Sequence, residues 1–219
     1  WNDLDTGILM TEKSQCIIAK RSLYLLEGNI GAGKTSLGKL LQASSKFDFL
    51  EEPVEMWRDG FANNLFEMFY TDMERWSFTF QIMAFTTRAK TWTEIMEKIQ
   101  GQQVVLERSI FTDRNVFAKN LYSVGAMNDS EWQLYQQLWD FLALNYCEQP
   151  DKILYLRTPA DVCLERIKMR GRDEEQKMPL DYLKRLEDLH DEWLMDHPDA
   201  IILDGTRRWT MEEVEALLP

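Results

Sequence analysis

A chain of 219 residues with 45% apolar side chains can bury a sizeable core and is expected to fold as one domain. Its 37 acidic and 25 basic residues leave a net charge of −12, which argues against nonspecific partners such as nucleic acid or an anionic membrane and makes any phosphate-binding cation cluster a local feature. No apolar run nears the roughly 20 residues needed to cross a bilayer. Cys16, Cys147 and Cys163 lie far apart without a CxxC, as free thiols of a reducing compartment do, so the expected location is the cytoplasm.

Residues 1–21 form an expected N-terminal extension, polar and acidic, with neither the apolar core of a secretory signal nor the Arg-rich character of a transit peptide. The chain begins with Trp1, so a trimmed N-terminus is expected; residues 22–219 are the expected domain. The first apolar run, Leu23–Glu27, leads into Gly28-Asn29-Ile30-Gly31-Ala32-Gly33-Lys34-Thr35, and an apolar-periodic segment starts at Leu37. Two glycines with four residues between them, then Lys and Thr, in strand-loop-helix context, are the phosphate-binding P-loop pattern. Glycines let successive N–H groups curl inward at a phosphate, the helix N-terminus adds positive potential, Lys34 reaches the outer phosphates and Thr35 offers an oxygen to Mg²⁺. A nucleoside triphosphate, ATP or another, is the expected ligand.

The second run, Phe47–Leu50, ends at Glu51-Glu52-Pro53-Val54, where Pro53 stops the strand and fixes the presentation of a carboxylate able to take a proton from an attacking hydroxyl. A solvated loop acid is the plainer alternative. From about Glu74 to Ile99, Trp76, Phe80, Met83, Ile95 and Ile99 recur at helical spacing and predict one long helix. The third run, Val104–Glu107, ends at Glu107-Arg108-Ser109: Glu107 can hold Mg²⁺ or its water and Arg108 can steady reacting oxygens, against a structural ion pair at the sheet's rim. Asn128 with Glu131 has capping-box spacing. The 132–146 segment carries Trp132, Tyr135, Leu138, Trp139 and Leu142, a stripe that either packs on its own sheet or joins a second copy.

Ile153–Leu156 is the fourth run, followed by Thr158-Pro159 and Asp161, read as an N-cap, a first-turn Pro and an acid at the positive helix end. Arg166 and Arg170 share a helix face and Arg172 follows Gly171; such arginines neutralise a phosphoryl group in transfer, although a solvated charge run would look similar. His190 and His197, in a charged stretch, are expected at the surface, without the makings of a zinc site or a Ser-His-Asp triad. Ile201–Leu203 is the fifth run, and Thr210 with Glu213 marks a last helix start. Five strands alternating with helices predict an α/β fold, a five-stranded parallel sheet with helices on both faces. Ligands of such sheets sit beyond the strands' carboxyl ends, where Glu27-Gly28, Glu51-Glu52, Glu107-Arg108 and Asp204-Gly205 would meet.

Five stretches together, Gly28–Thr35, Glu52–Trp57, Glu74–Gln81, Glu107–Ser109 through Asp113-Arg114, and Arg170–Glu175, resemble the deoxyribonucleoside kinase family on the side of its deoxycytidine and deoxyguanosine kinases, in the same order from Leu23 to Trp209. The resemblance implies the P-loop kinase fold with an Arg-rich lid, and a salvage enzyme moving the γ-phosphoryl of ATP or another triphosphate to a deoxynucleoside 5′-hydroxyl with Mg²⁺. It also implies a homodimer. By the same resemblance Glu52 is the general base with Arg108 beside it, and Thr35 and Glu107 are associated with magnesium. Tyr70 and Glu175 grip the sugar 3′-hydroxyl, Gln81 bonds the base edge, and Trp57, Phe80 and Phe111 wall the ring. Arg166, Arg170 and Arg172 form the lid, and Asp204 to Trp209 meets the donor's base. Arg207 and Arg208 stand where relatives often have acids, which leaves the choice of donor open. Arg88, two turns and about 10.5 Å from Gln81 along one helix face, matches with Asp113 a pair typical of the branch that takes cytosine and purine bases. Deoxycytidine, deoxyadenosine and deoxyguanosine are therefore expected over thymidine. The other readings are a nucleoside monophosphate kinase and a non-catalytic subunit on the same fold.

Overall fold

The five apolar runs become five strands, β1 Ser22–Glu27, β2 Phe47–Leu50, β3 Gln103–Glu107, β4 Lys152–Arg157 and β5 Ala200–Asp204, within a residue or two of the expected bounds. The computed structural model describes residues 22–60, 63–98 and 103–218; the extension 1–21, Cys16 and Ile99 lie outside them. All strand pairs are parallel, in the order β2-β3-β1-β4-β5. β1 is central and buried from Leu23 to Glu27, which is why it reads as a continuous apolar run without alternation.

Alternate residues of the sheet feed two core layers. Leu23, Leu25, Val104, Leu106 and Ile153 face the long helix α4 (Met73–Lys98) and α7 (Asp129–Tyr146). Tyr24, Leu26, Val105, Leu154 and Leu156 face α1 (Lys34–Gln42) and α10 (Met211–Glu215). The remaining helices are α2 (Val54–Asp59), α3 (Leu65–Thr71), α5 (Ile110–Thr112), α6 (Lys119–Ser123), α8 (Ala160–Arg170) and α9 (Leu180–Leu194). A π-helical turn over Asp113–Ala118 joins α5 to α6, and a 3₁₀ turn, Asp173–Glu175, follows α8. No helix among the described residues is long and apolar enough to cross a membrane.

The expected capping boxes form at both sites, Asn128 with Glu131 opening α7 and Thr210 with Glu213 opening α10. The expectation for α8 needs correction. Pro159 itself is the N-cap, and the Thr158 hydroxyl, one residue too early to cap, donates to the Ala32 carbonyl at 3.1 Å and ties α8 to the P-loop. His190 is not at the surface either. It is fully buried on the inner face of α9 with Leu183, Leu186 and Leu194, its Nδ1 is 2.6 Å from the Leu186 carbonyl, and its ring stacks on Tyr155. Burial, with Arg108 nearby, lowers its pKa to about 3, so it stays neutral.

The α7 stripe divides. Tyr135 and Trp139 are buried against the chain's own core, Trp132 and Leu142 pack partly on it, and Leu138 is exposed. The outer face is instead Leu134, Leu138, Phe141 and Leu144.

Candidate active site

The parallel sheet brings the ends of β1, β2 and β3 to one edge, and the P-loop curls over the end of β1. Gly31 has φ 79°, and a Cβ there would stand 2.5 Å from the Cys163 carbonyl oxygen; Gly33, at φ 105°, is the N-cap of α1. Neither conformation suits a side chain. Lys34 is buried and donates to the carbonyls of Gly28 at 3.0 Å and Asn29 at 2.8 Å. Burial and the neighbouring Arg108 pull its pKa down to about 8. The Asn29 side chain accepts from Ile30 N–H and donates to the Leu183 carbonyl, anchoring the loop to α9. Thr35 Oγ1 donates to the Glu107 carboxylate at 2.9 Å.

Beside this loop lies a tight charged cluster. Arg88 of α4 forms close ion pairs with both Glu52 and Asp113, and its guanidinium sits 4.8 Å over the Trp57 ring. Arg108 donates from Nε to Glu52 at 3.4 Å and covers the Phe117 ring. Burial would raise the Glu52 carboxyl, but Arg108, Arg88 and Lys34 outweigh it and hold the pKa at about 2. Burial pushes Asp113 the other way, above its usual value, against the pull of Arg88. Glu52 is therefore an ionised carboxylate across the whole physiological range.

Beside the cluster is a cavity of about 150 Å³. Every expected nucleoside-side residue lines it except Phe111: Glu52, Trp57, Tyr70, Phe80, Gln81, Arg88, Arg108, Asp113 and Glu175. Phe111 is not among the lining residues. It sits on α5 with its ring edge-on to Trp92 and Trp139 in the core, and the aromatic lining includes Phe117, six residues farther on, with Phe66 and Phe69. Phe69 stacks on Phe80 with ring centroids 4.5 Å apart, and Trp57 meets Phe80 edge-on at 5.6 Å. The Trp57 Nε1–H donates to Thr87 Oγ1, which fixes the indole. Burial, then Tyr182 and Glu175 nearby, push the Tyr70 hydroxyl well above its usual pKa, so it remains a donor. Four lining residues leave a buried polar atom without a protein partner, Gln81 Oε1, Arg88 Nε, Arg108 Nη1 and Asp113 Oδ2. Unpaired buried polar atoms are rare, and a cluster of them in one cavity is what a polar ligand would satisfy.

A second, more open cleft runs along the other side of the P-loop, lined by Gly31 to Thr35, Lys39, Arg166, Gly205, Arg207, Arg208 and Trp209. The two voids share Gly31, Lys34, Thr35, Glu51, Glu107, Arg170 and Arg172. Arg170 and Arg172 pair with the buried Glu175 of the cavity wall. Arg166 lies deeper: its guanidinium donates to the Ala32 carbonyl at 2.8 Å and the Gly205 carbonyl at 2.9 Å. Arg207 covers the Trp209 ring at 3.5 Å, and the Trp209 Nε1–H donates to the Asp204 carbonyl. Gly28, Asn29 and Asp204 line neither void; Gly28 and Asn29 serve Lys34, and the Asp204 carboxylate accepts from Thr206 in its own turn.

A cavity with an ionised acid facing a P-loop lysine is the layout of a kinase acting on a small alcohol, and comparison with known proteins agrees. The family model described as "Deoxynucleoside kinase" matches residues 25–216. A probable deoxycytidine kinase of Fowlpox virus is 38% identical over 172 residues, covering 78% of this chain and 71% of its own. The deoxycytidine kinase of Homo sapiens is 35% identical over 192 residues, 78% of this chain and 74% of its own, and the mitochondrial deoxyguanosine kinase of Xenopus laevis is 34% identical over 189, 77% and 71%. The five-stranded parallel sheet, the P-loop and a family match over nearly all described residues lead to one assignment: the chain belongs to the deoxynucleoside kinase family.

Proposed function

We propose that this kinase transfers the γ-phosphoryl of ATP or another nucleoside triphosphate to the 5′-hydroxyl of a deoxynucleoside in nucleotide salvage, taking deoxycytidine, deoxyadenosine or deoxyguanosine in preference to thymidine. The observation that carries this reading is the meeting of an aromatic-walled cavity and a cation-lined cleft at Lys34, Thr35, Glu107, Arg170 and Arg172, with Glu52 on the cavity side close enough for the Lys34 charge to lower its pKa. The nucleoside lies in the cavity and the triphosphate along the loop. Glu52 accepts the 5′-hydroxyl proton as the oxygen attacks, Arg108 and Lys34 stabilise charge at the reacting oxygens, and Arg170 and Arg172 reach the donor phosphates. Tyr70 and Glu175 hold the 3′-hydroxyl. Gln81 Oε1 and Asp113 Oδ2 are acceptors awaiting a donor, which the exocyclic amino groups of cytosine and adenine supply and thymine lacks.

The Thr35 hydroxyl and Glu107 carboxylate are adjacent hard oxygen donors, which fits Mg²⁺, an ion that uses one or two protein oxygens and leaves the rest of its octahedron to phosphate and water. Among the described residues no group of three or more His, Cys, Asp or Glu forms an all-protein cage. When bound, the ion neutralises charge on the donor phosphates.

The monophosphate-kinase reading loses ground at Glu52, since a permanent negative charge at the reacting end repels a 5′-phosphate. Labelled γ-phosphate offered with each of the four deoxynucleosides in competition is expected to appear in deoxynucleoside 5′-monophosphates, thymidine's least. Label found only in diphosphates when monophosphates are supplied would overturn the reading.

The outer face of α7 supports a homodimer. Leu134, Leu138, Phe141 and Leu144 recur at three- and four-residue spacing and all are exposed, Phe141 at 57%, and a contiguous apolar strip of this kind favours a second copy of itself. Light scattering is expected to give twice 25.9 kDa, and Phe141→Glu to give the monomer with its kinase activity retained.

A further inference from the structure

Glu27 ends β1 one residue before the P-loop, yet lines neither void. It is completely buried, and each of its carboxylate oxygens takes one hydroxyl: Ser109 Oγ donates to Oε1 at 2.6 Å and Thr112 Oγ1 donates to Oε2. Ser109 is also the N-cap of α5, its oxygen accepting from the N–H groups of Phe111 at 3.2 Å and Thr112 at 3.4 Å. A hydroxyl oxygen that accepts from two amides must send its own proton elsewhere, and Glu27 receives it.

The residues flanking this clamp are the ones the site uses. Arg108, directly before Ser109, has φ 64°, the only non-glycine with positive φ among the described residues, and its N–H donates to the Leu26 carbonyl at 3.1 Å. Successive side chains of a strand point to opposite faces. The left-handed turn at Arg108 breaks that alternation, so Glu107 reaches Thr35 while the adjacent Arg108 reaches Glu52. Directly after Thr112 comes Asp113, the partner of Arg88. One buried carboxylate thus holds the residue after Arg108 and the residue before Asp113.

We propose that Glu27 is a positioning residue: by clamping Ser109 and Thr112 it holds the unfavourable backbone of Arg108 and fixes the spacing between Arg108 at the reacting end and Asp113 at the base end. This rests on the role given above to Arg108. Burying a carboxylate away from water is unfavourable, and the two hydroxyl donors, with Arg108 and Lys34 nearby, offset part of that cost.

The test is a pair of variants in two backgrounds. Glu27→Gln cannot accept both hydroxyl protons. Thr112→Val removes one of the two bonds at nearly constant shape and decides the matter should the first fail to fold. Each is expected to lower kcat on the order of 10-fold through misplacement of Arg108, with the donor KM within about twofold for Thr112→Val, which leaves the charges around Lys34 in place. In an Arg108→Ala background each is expected to change kcat by less than about twofold, since the group being aimed is gone. The same loss in both backgrounds, or no loss with Arg108 present, overturns the proposal and leaves Glu27 a structural residue. Should Arg108→Ala alone leave kcat unchanged, the role of Arg108 fails first, a result distinct from equal losses in the two backgrounds.

Discussion

Replacing Glu52 with Gln lowers kcat by about 10²–10⁴-fold, the range a positioned general base contributes, while the nucleoside KM changes far less. The substitution keeps the side chain's shape but only one of the two oxygens that Arg88 and Arg108 bond separately, and the main loss falls on proton transfer. A drop of less than about tenfold would remove Glu52 from that role. The wild-type pH profile carries a second signature. With its pKa at about 2, Glu52 cannot give an acid limb near pH 4 to 5, where an ordinary carboxylate titrates. Lys34, lowered to about 8, loses its charge as pH rises through that value in the free enzyme. The expected result is a fall of kcat/KM for the donor above about pH 8 and a flatter kcat, since bound phosphates favour the protonated amine and raise its pKa.

A base held at about pKa 2 is weak, and the weakness follows from the ion pairs around it. In the structure Glu52 accepts from two guanidinium groups. A 5′-hydroxyl entering between Glu52 and Arg108 would displace one of these bonds and raise the carboxylate's proton affinity during attack. Because the transition state of phosphoryl transfer is loose, the hydroxyl keeps most of its proton until late, and orientation matters more than basicity. The same arginines that weaken the base hold it in place.

Much of this was legible in the chain because the features are local. The P-loop is eight consecutive residues, the strands are short apolar runs ending in charge, and both capping boxes follow from two residues three apart. What the sequence hid is nonlocal. Ser109 and Glu27 are 82 positions apart and no pattern links them. Phe66 and Phe69 on α3, Phe117 on the π-helical turn and Tyr182 on α9 join the cavity from three elements, and as apolar helix residues they read as ordinary core. Phe111, expected from the resemblance as a wall of the ring, packs against Trp92 and Trp139 instead, and a three-residue helix has no apolar period that shows which way it faces. His190 was recoverable: its spacing from Leu183, Leu186 and Leu194 marks the buried face of α9, a period that outweighs the charged residues around it.

The Arg88–Asp113 pair gives the other large effect, on stability and on base choice together. Both side chains are almost wholly buried, so removing one partner strands the other. Asp113→Ala leaves Arg88 with Glu52 alone and is expected to cost about 3–5 kcal/mol, and Arg88→Met should cost a similar amount by stranding Asp113. Combining Arg88→Met with Asp113→Val takes away both charges and fills the space, and is expected to recover most of that loss, as replacement of a buried pair by apolar residues often does. Urea unfolding of the two singles and the double measures the coupling; simple addition of the single losses would show that the pair does not act as a unit. The double also removes the charged end of the base cavity. Deoxycytidine and deoxyadenosine lose a partner for their amino group, worth about 1–3 kcal/mol, and thymine's methyl no longer has to displace Arg88. The kcat/KM ratio of deoxycytidine to thymidine is therefore expected to fall by at least about tenfold in the double variant. A ratio left unchanged would mean that base selection resides in Gln81 and the aromatic walls, with Arg88 and Asp113 holding only each other.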